Sequence, residues 1–197
     1  PDVLQAQINF ALQTGDIGTA IKLLGHLSIG VDVAQPEASW LRALTYRAAG
    51  RLGESDESIR TFLQAAQREL QGMPASAVHS DNYAWIAAHY ALLGNRGSAL
   101  EYVDRAWKAL PPTGDAGNRT DALYYTAIAL AWANEPRRAV AQLRTLVDLP
   151  SWAKPAYLWC DPYLAPLRRD PEFRKLVAAH GADVSIDPLR RDTWPKH

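Results

Sequence analysis

The residue types that most often carry catalysis or bind metals are few in this chain and poorly spaced for either task. The five histidines are His26, His79, His89, His180 and His197. No two of them lie three or four positions apart, so no pair shares the helix face that a helical metal site needs. The only cysteine, Cys160, follows Trp159 in an aromatic stretch with no histidine nearby, which favours a buried structural thiol over a nucleophile.

Carboxylates and glycines add no catalytic pattern. Asp56, Glu57 and Asp104 occupy turn or outer-helix positions, where solvation and helix dipoles are sufficient reasons for an acidic residue. The GNRG stretch (94–97) lacks the preceding strand and the Gly-Lys-Ser/Thr ending of a phosphate-binding loop. The sequence therefore predicts a protein that is not an enzyme and that uses no metal and no cofactor.

The composition excludes further classes. The 197 residues include 21 Lys+Arg and 21 Asp+Glu, which give a net charge of zero, so a nucleic-acid partner is not expected. A single cysteine excludes an internal disulfide framework. No apolar run reaches the roughly 18 residues of a membrane span and no signal peptide opens the chain, so we expect no membrane insertion and a soluble, cytoplasmic protein. The start at Pro1, without methionine, suggests a fragment of a longer protein.

Four stretches of the chain share one pattern: an apolar run, a turn residue, a few polar residues and a second apolar run. They read FALQTGDIGTAIKLLGHL (10–27), AAGRLGESDESIRTFLQAA (48–66), HYALLGNRGSALEYVDRA (89–106) and ALAWANEPRRAVAQLRTL (129–146). We assign the turns to Gly15, Gly53, Gly94 and Asn134, residue types that close a helix in a left-handed conformation. They are 38, 41 and 40 residues apart. This spacing predicts four helix–turn–helix repeats.

The second apolar run of each stretch carries a small residue five positions after the turn, a bulky one four later and a small or apolar one three further on. These sets are Ala20, Leu24 and Leu27; Ser58, Phe62 and Ala65; Ala99, Val103 and Ala106; and Ala139, Leu143 and Leu146. Spacings of three and four put each set on one helix face. Helices can approach closely at the small residue, and the bulky one fills the layer beside it.

This pattern resembles that of the tetratricopeptide-repeat (TPR) family, whose helix–turn–helix unit has 34 residues. The match is strongest in residues 80–111, at Tyr83, Ile86, Ala87, Tyr90, Gly94, Ala99, Val103, Ala106 and Pro111, and residues 120–150 come next. The resemblance implies an all-α solenoid of TPR-like hairpins with a right-handed superhelical twist. Its units would cover approximately residues 2–30, 36–72, 80–111 and 119–150.

The end of the repeat region is similar to the closing segment of repeat arrays in multidomain bacterial regulators; it reads KPAYLWCDPYLAPLRRDPEFRKLV (154–177). Its two Asp-Pro pairs, at 161–162 and 170–171, each predict a helix start with a capping aspartate and a proline in the first turn. Because a terminal unit must cover the apolar face left by the last repeat, we expect a C-terminal capping hairpin over residues 152–180. Residues 1–180 would form a single domain, and 181–197 a tail.

In the TPR family the first helix of each unit usually lines a concave groove. The resemblance assigns groove positions to Gln5, Asn9, Gln13, Trp40, Arg47, Arg51, Asp81, Trp85, Ala88, Leu92, Asp121, Tyr124, Ile128 and Trp132. Since arginine and aromatic residues often dominate interface energies, the candidate partner-binding residues are Asn9, Trp40, Arg47, Arg51, Trp85, Tyr124 and Trp132. The arginine pair, four positions apart, would bind a carboxylate or phosphate. The alternatives are aromatic residues packed between helices and arginines on a solvated helix face.

The function that the sequence favours is non-catalytic protein–protein interaction or regulation, with the groove binding a partner peptide or a sister domain. One alternative is small-molecule sensing in an aromatic pocket lined by Trp85, Tyr124 and Trp132; another is self-association into a homo-oligomer. A chaperone-tail clamp of the TPR type is excluded. Only Asn9 fits its lysine–asparagine pattern, because Gln5, Leu44, Asp81 and Trp85 occupy the other positions.

Overall fold

The fold was analysed in a computed structural model, which describes residues 3–27, 35–74, 79–110, 116–149 and 152–185. The helices are α1 (Val3–Gln13), α2 (Ile17–Leu24), α3 (Pro36–Ala48), α4 (Leu52–Gly72), α5 (Ser80–Leu92), α6 (Arg96–Lys108), α7 (Ala116–Trp132), α8 (Pro136–Val147), α9 (Pro155–Cys160), a 3₁₀ segment (Pro162–Arg169) and α10 (Pro171–Ala179). All regular structure in these ranges is helical, which confirms the all-α class. Of the described helices, none has both the length and the apolar character that a membrane span requires.

The chain divides into two compact units, one built mainly from residues 1–65 and 160–163, and the other from residues 66–159 and 164–184. In the first unit, α1 packs against α2 and both pack against α3. Its core contains Ile8, Leu12, Ala20, Trp40, Leu41, Leu44 and Ile59, all fully buried. The predicted continuous array over residues 1–180 stays a prediction.

In the second unit, α5 packs against α6 and α7, α7 packs against α8, and α10 contacts α8. The second helix of each hairpin is amphipathic, as expected of a helix with one side in water. The first helices differ, because α5 and α7 bury long runs of consecutive residues. Few side chains of α5 and α7 are therefore exposed for contact with a partner.

The four hairpin turns are built in the same way. At the third turn, the Gly94 N–H donates to the Ala91 carbonyl (3.0 Å) and the Asn95 N–H to the Tyr90 carbonyl (2.9 Å), which is the Schellman pattern around a left-handed residue. The residue that follows is at once the N-terminal cap of the next helix, and the Asn95 carbonyl accepts the first helical bond from Ala99 (3.0 Å). The equivalent left-handed residues are Gly15 (φ 73°), Gly50 (φ 73°), Gly94 (φ 84°) and Asn134 (φ 59°).

Three of the four predicted turn residues are thus confirmed, and the second is wrong. The left-handed residue of that turn is Gly50, whereas Gly53 lies inside the first turn of α4. Counted from Gly50, the small residue of the set is Ser55 and the bulky one is Ile59, and both are fully buried. The predicted residues at these two positions, Ser58 and Phe62, are therefore wrong. Phe62 is also buried, but it takes the third position of the set, as Leu27, Ala106 and Leu146 do.

Both Asp-Pro pairs begin a helix, as predicted. The Asp170 carboxylate accepts the N–H groups of Glu172 (2.9 Å) and Phe173 (3.0 Å) at the start of α10. Asp161 accepts the Tyr163 N–H (2.9 Å), although the helix that it begins is of the 3₁₀ type. The apolar residues of this closing region are buried, namely Tyr163, Leu164, Leu167, Phe173 and Leu176. Most of the predicted tail, residues 186–197, lies outside the described residues.

Candidate interaction site

The predicted groove residues on the first helices are mostly interior residues. Each of the four aromatic candidates, Trp40, Trp85, Tyr124 and Trp132, is at most 7% exposed. The same holds for the other apolar groove positions, since Ala88, Leu92 and Ile128 are buried as well. The four aromatic side chains pack between helices, which was the alternative interpretation. The prediction that they are exposed in a groove is wrong.

The physical reason lies in the make-up of the first helices. In α5 the six residues from Ala84 to His89 are all buried, and in α7 every residue from Thr126 to Trp132 is buried. Six successive residues cover more than the full circumference of a helix with 3.6 residues per turn. A helix that is apolar all round is enclosed by its neighbours rather than left with one open face.

The predicted arginine pair does not form a forked anion site. Arg47 Nη2 lies 3.4 Å from the Asp56 carboxylate, and burial lowers the pKa of Arg47 while the nearby Asp56 charge raises it. Arg51 is exposed; it pairs with the Glu54 carboxylate, and its guanidinium lies 4.8 Å from the centre of the Tyr46 ring. The two arginines pair with different carboxylates, and Asp56 also pairs with Arg60 (3.5 Å), because α4 follows α3 directly and brings acidic residues to the same side.

Asn9 is half-buried on α1, and its Oδ1 is a buried atom that accepts no hydrogen bond from the described residues. Its neighbour Phe10 is 66% exposed and Val3 is 72% exposed. The two apolar residues are seven positions apart, so they lie on one face of α1. This face was not anticipated from the sequence, since the repeat pattern treats the first unit like the others.

The most exposed aromatic surface of the second unit lies where the chain leaves α8 and enters α9. Trp152 and Tyr157 are each 46% exposed, and their rings lie 5.5 Å apart at an interplanar angle of 85°. The centre of the Tyr124 ring lies 4.8 Å from that of the Trp152 ring, at an interplanar angle of 80°. Asp121 Oδ1 accepts a hydrogen bond from the Trp152 indole Nε1–H (3.2 Å). We call these four residues, Asp121, Tyr124, Trp152 and Tyr157, the aromatic corner.

Two members of the aromatic corner, Asp121 and Tyr124, are predicted groove positions of the fourth unit. The other two come from the segment after α8, and sequence reasoning assigned them only to the cap. Their pattern, WAKPAY at 152–157, places two large aromatic residues around a proline, which is compatible with an exposed turn. Exposure itself depends on the tertiary packing and could not be inferred from the spacing.

The aromatic corner continues inward as a series of packed rings. Tyr124 contacts Tyr125 at 5.2 Å, and Tyr125 contacts Trp85 of α5 at 4.4 Å. The Tyr124–Tyr125 pair meets edge to face, a favoured geometry of aromatic pairs, and the Tyr125–Trp85 pair is in close contact at a tilt of 35°. The exposed Trp152 is therefore supported by rings that belong to two helices of the core.

His89 lies at the buried end of this series, with its ring 6.1 Å from that of Trp85, and its pKa is strongly perturbed. Its Nδ1 lies 2.8 Å from the Trp85 carbonyl, a distance at which a neutral ring donates its Nδ1–H. Desolvation of the buried ring lowers the pKa of His89 to about 3, and the bond to Trp85 opposes that effect only in part. A neutral, enclosed imidazole is a structural residue. In the ranges that the structure describes, no cluster of three or more potential metal ligands occurs.

Comparisons with protein-family models, with curated proteins and with solved structures gave no match to this chain.

Proposed function

We propose that this chain is a non-catalytic protein-recognition module of the TPR-like type, and that the aromatic corner is its contact surface for a partner segment. The observation that carries the proposal is the pair of half-exposed rings, Trp152 and Tyr157, held at right angles beside a carboxylate. Tryptophan and tyrosine are the residue types that most often supply a large share of the binding energy at protein interfaces.

The fixed position of Trp152 supports this role. Its indole N–H is bonded to Asp121, and its ring lies against Tyr124, which is itself buried in α7. A side chain that is already ordered loses little rotamer freedom when a partner arrives, so more of the contact energy appears as affinity. Within the second unit, α7 packs against both α5 and α8 and so supports Tyr124 from behind.

Only the fourth predicted unit contributes groove positions to the aromatic corner. Asp121 and Tyr124 belong to the fourth first helix, and the arginine and aromatic candidates of the earlier units are paired or buried. The pocket-like alternative, with a small molecule between Trp85, Tyr124 and Trp132, is less favoured because all three side chains already pack in the core.

Self-association is a second candidate function, and the exposed face of α1 favours it. Val3 and Phe10 place two apolar side chains on the same side of the first helix. Sedimentation velocity at several protein concentrations tests this candidate. A Phe10→Ala change should lower the association constant, and a monomer at all concentrations would rule it out.

Selection from a displayed peptide library tests the proposed function. Peptides that bind the full chain should lose binding to a Trp152→Ala/Tyr157→Ala double variant and keep it with Phe10→Ala, which removes a comparably exposed apolar side chain from the first unit. We expect the double variant to weaken selected peptides by about 10-fold or more, in line with the loss of an interface hot spot. Peptides that bind both variants equally well would locate recognition elsewhere, and circular dichroism must show the helical content unchanged.

A further inference from the structure

The carboxylate of the aromatic corner is not neutralised within the described chain. Asp121 accepts the Trp152 indole N–H, and it makes no ion pair with any residue that the structure describes. Arg119 and Lys154 are the basic residues closest to the corner in sequence; both are exposed, and neither pairs with Asp121. The corner therefore combines exposed ring surface with an uncompensated negative charge.

Elsewhere in this chain, arginine is the residue that covers such rings. Guanidinium groups lie over aromatic rings for Arg51 on Tyr46 (4.8 Å), Arg105 on Tyr102 (4.8 Å), Arg168 on Trp159 (4.9 Å) and Arg174 on Trp159 (5.4 Å). These distances are those of cation–π contacts, and tryptophan is the best acceptor for them. Over Trp152, no cation lies among the described residues.

We propose that the aromatic corner binds an arginine side chain of a partner polypeptide. The rings of Trp152 and Tyr157 contact each other edge to face, each side chain is 46% exposed, and Asp121 lies at the indole edge of Trp152. A guanidinium stacks on a ring face and donates to a carboxylate at the same time, because it is planar and carries five N–H donors. This inference rests on the proposed function and adds the chemistry of the partner residue to it.

Titration of the full chain with a capped Gly-Gly-Arg-Gly-Gly peptide tests the proposal. The probe signal is the indole N–H resonance of Trp152, identified by its disappearance in Trp152→Phe. We expect a saturable shift in the millimolar range, and about fivefold weaker binding when citrulline replaces arginine, because citrulline keeps the shape and loses the charge. Asp121→Asn should weaken the arginine peptide about two- to fivefold, the effect of an exposed ion pair.

The control variant is Glu69→Gln, which removes an exposed carboxylate from α4 and should leave the arginine affinity unchanged. Equal affinity for the arginine and citrulline peptides would overturn the proposal, as would an unchanged affinity in Asp121→Asn. Choline that saturates the Trp152 signal at lower concentration than the peptide would also overturn it, in favour of a small ammonium ligand. If library selection yields neutral peptides that depend on Trp152, the proposed function stands and the arginine proposal fails.

Discussion

Acidification should destabilise the second unit through His89, and the size of the effect follows from its burial. The pKa of His89 is about 3 in the folded chain and about 6.5 for an exposed histidine. Because the folded value is the lower one, the unfolded state binds the proton more readily. The contribution of neutral His89 to the unfolding free energy is therefore fully present well above pH 6.5, and it decreases as the pH falls towards 3.

At pH 5 the unfolded imidazole is almost fully protonated, while the folded one is still neutral. Linkage then predicts that protonation of His89 in the unfolded state lowers the unfolding free energy by about 2 kcal/mol between pH 8 and pH 5. This is a large share of the stability of an ordinary domain. The loss continues to grow until the pH approaches 3. Urea unfolding monitored by far-UV circular dichroism at pH 8, 6.5, 5.5 and 5 measures it.

The decisive comparison is the pH dependence of His89→Gln against that of the wild type. The variant starts from a lower stability, but it should lose about 2 kcal/mol less than the wild type between pH 8 and pH 5. His180→Gln is the matched control, because His180 makes the same Nδ1 contact to a carbonyl four residues earlier (Leu176 O, 2.9 Å) and is exposed. If His89→Gln and the wild type show parallel pH profiles, His89 is not held neutral by burial and the reasoning is refuted.

The hairpin turns and the helix contacts lead to two further predictions. Gly50→Ala should lower the unfolding free energy by about 1–2 kcal/mol, because the alanine must take the left-handed conformation. Gly53→Ala should stabilise α4 by about 0.5–1 kcal/mol. Chemical denaturation measures both, and an equal effect at the two sites would contradict the turn assignment. Ala99→Leu should overpack a fully buried helix contact and cost about 1–3 kcal/mol, while the exposed Ala141→Leu should change little. A thermal unfolding midpoint that is unchanged in Ala99→Leu would mean that this helix face is not tightly packed.

The repeat pattern could be predicted from the sequence because the turn chemistry is local. Gly15, Gly94 and Asn134 each end one helix and immediately precede the cap of the next. The second turn was misplaced because Gly50 and Gly53 are three residues apart and each precedes a charged residue. Local preference does not separate them, and the more even spacing favoured the wrong one.

The site was harder to predict, for two physical reasons. A residue at a groove position can bind a partner only if its helix keeps one face exposed. The stretch from Ala84 to His89 is almost entirely apolar, and this composition already indicates a helix that its neighbours enclose. The pairing of Arg47 with Asp56 and the exposure of Trp152 depend instead on how separate segments come together. Neither can be obtained from helical periodicity alone.

The shared construction of the four turns has a consequence for engineering. The left-handed residues are 35, 44 and 40 residues apart, yet the next helix begins two residues after each of them. The hairpins and their connections thus differ in length while the joint is the same in all four. Each joint can therefore be treated as a fixed connector, so that the helices on either side of it can be lengthened, shortened or exchanged without redesigning the turn.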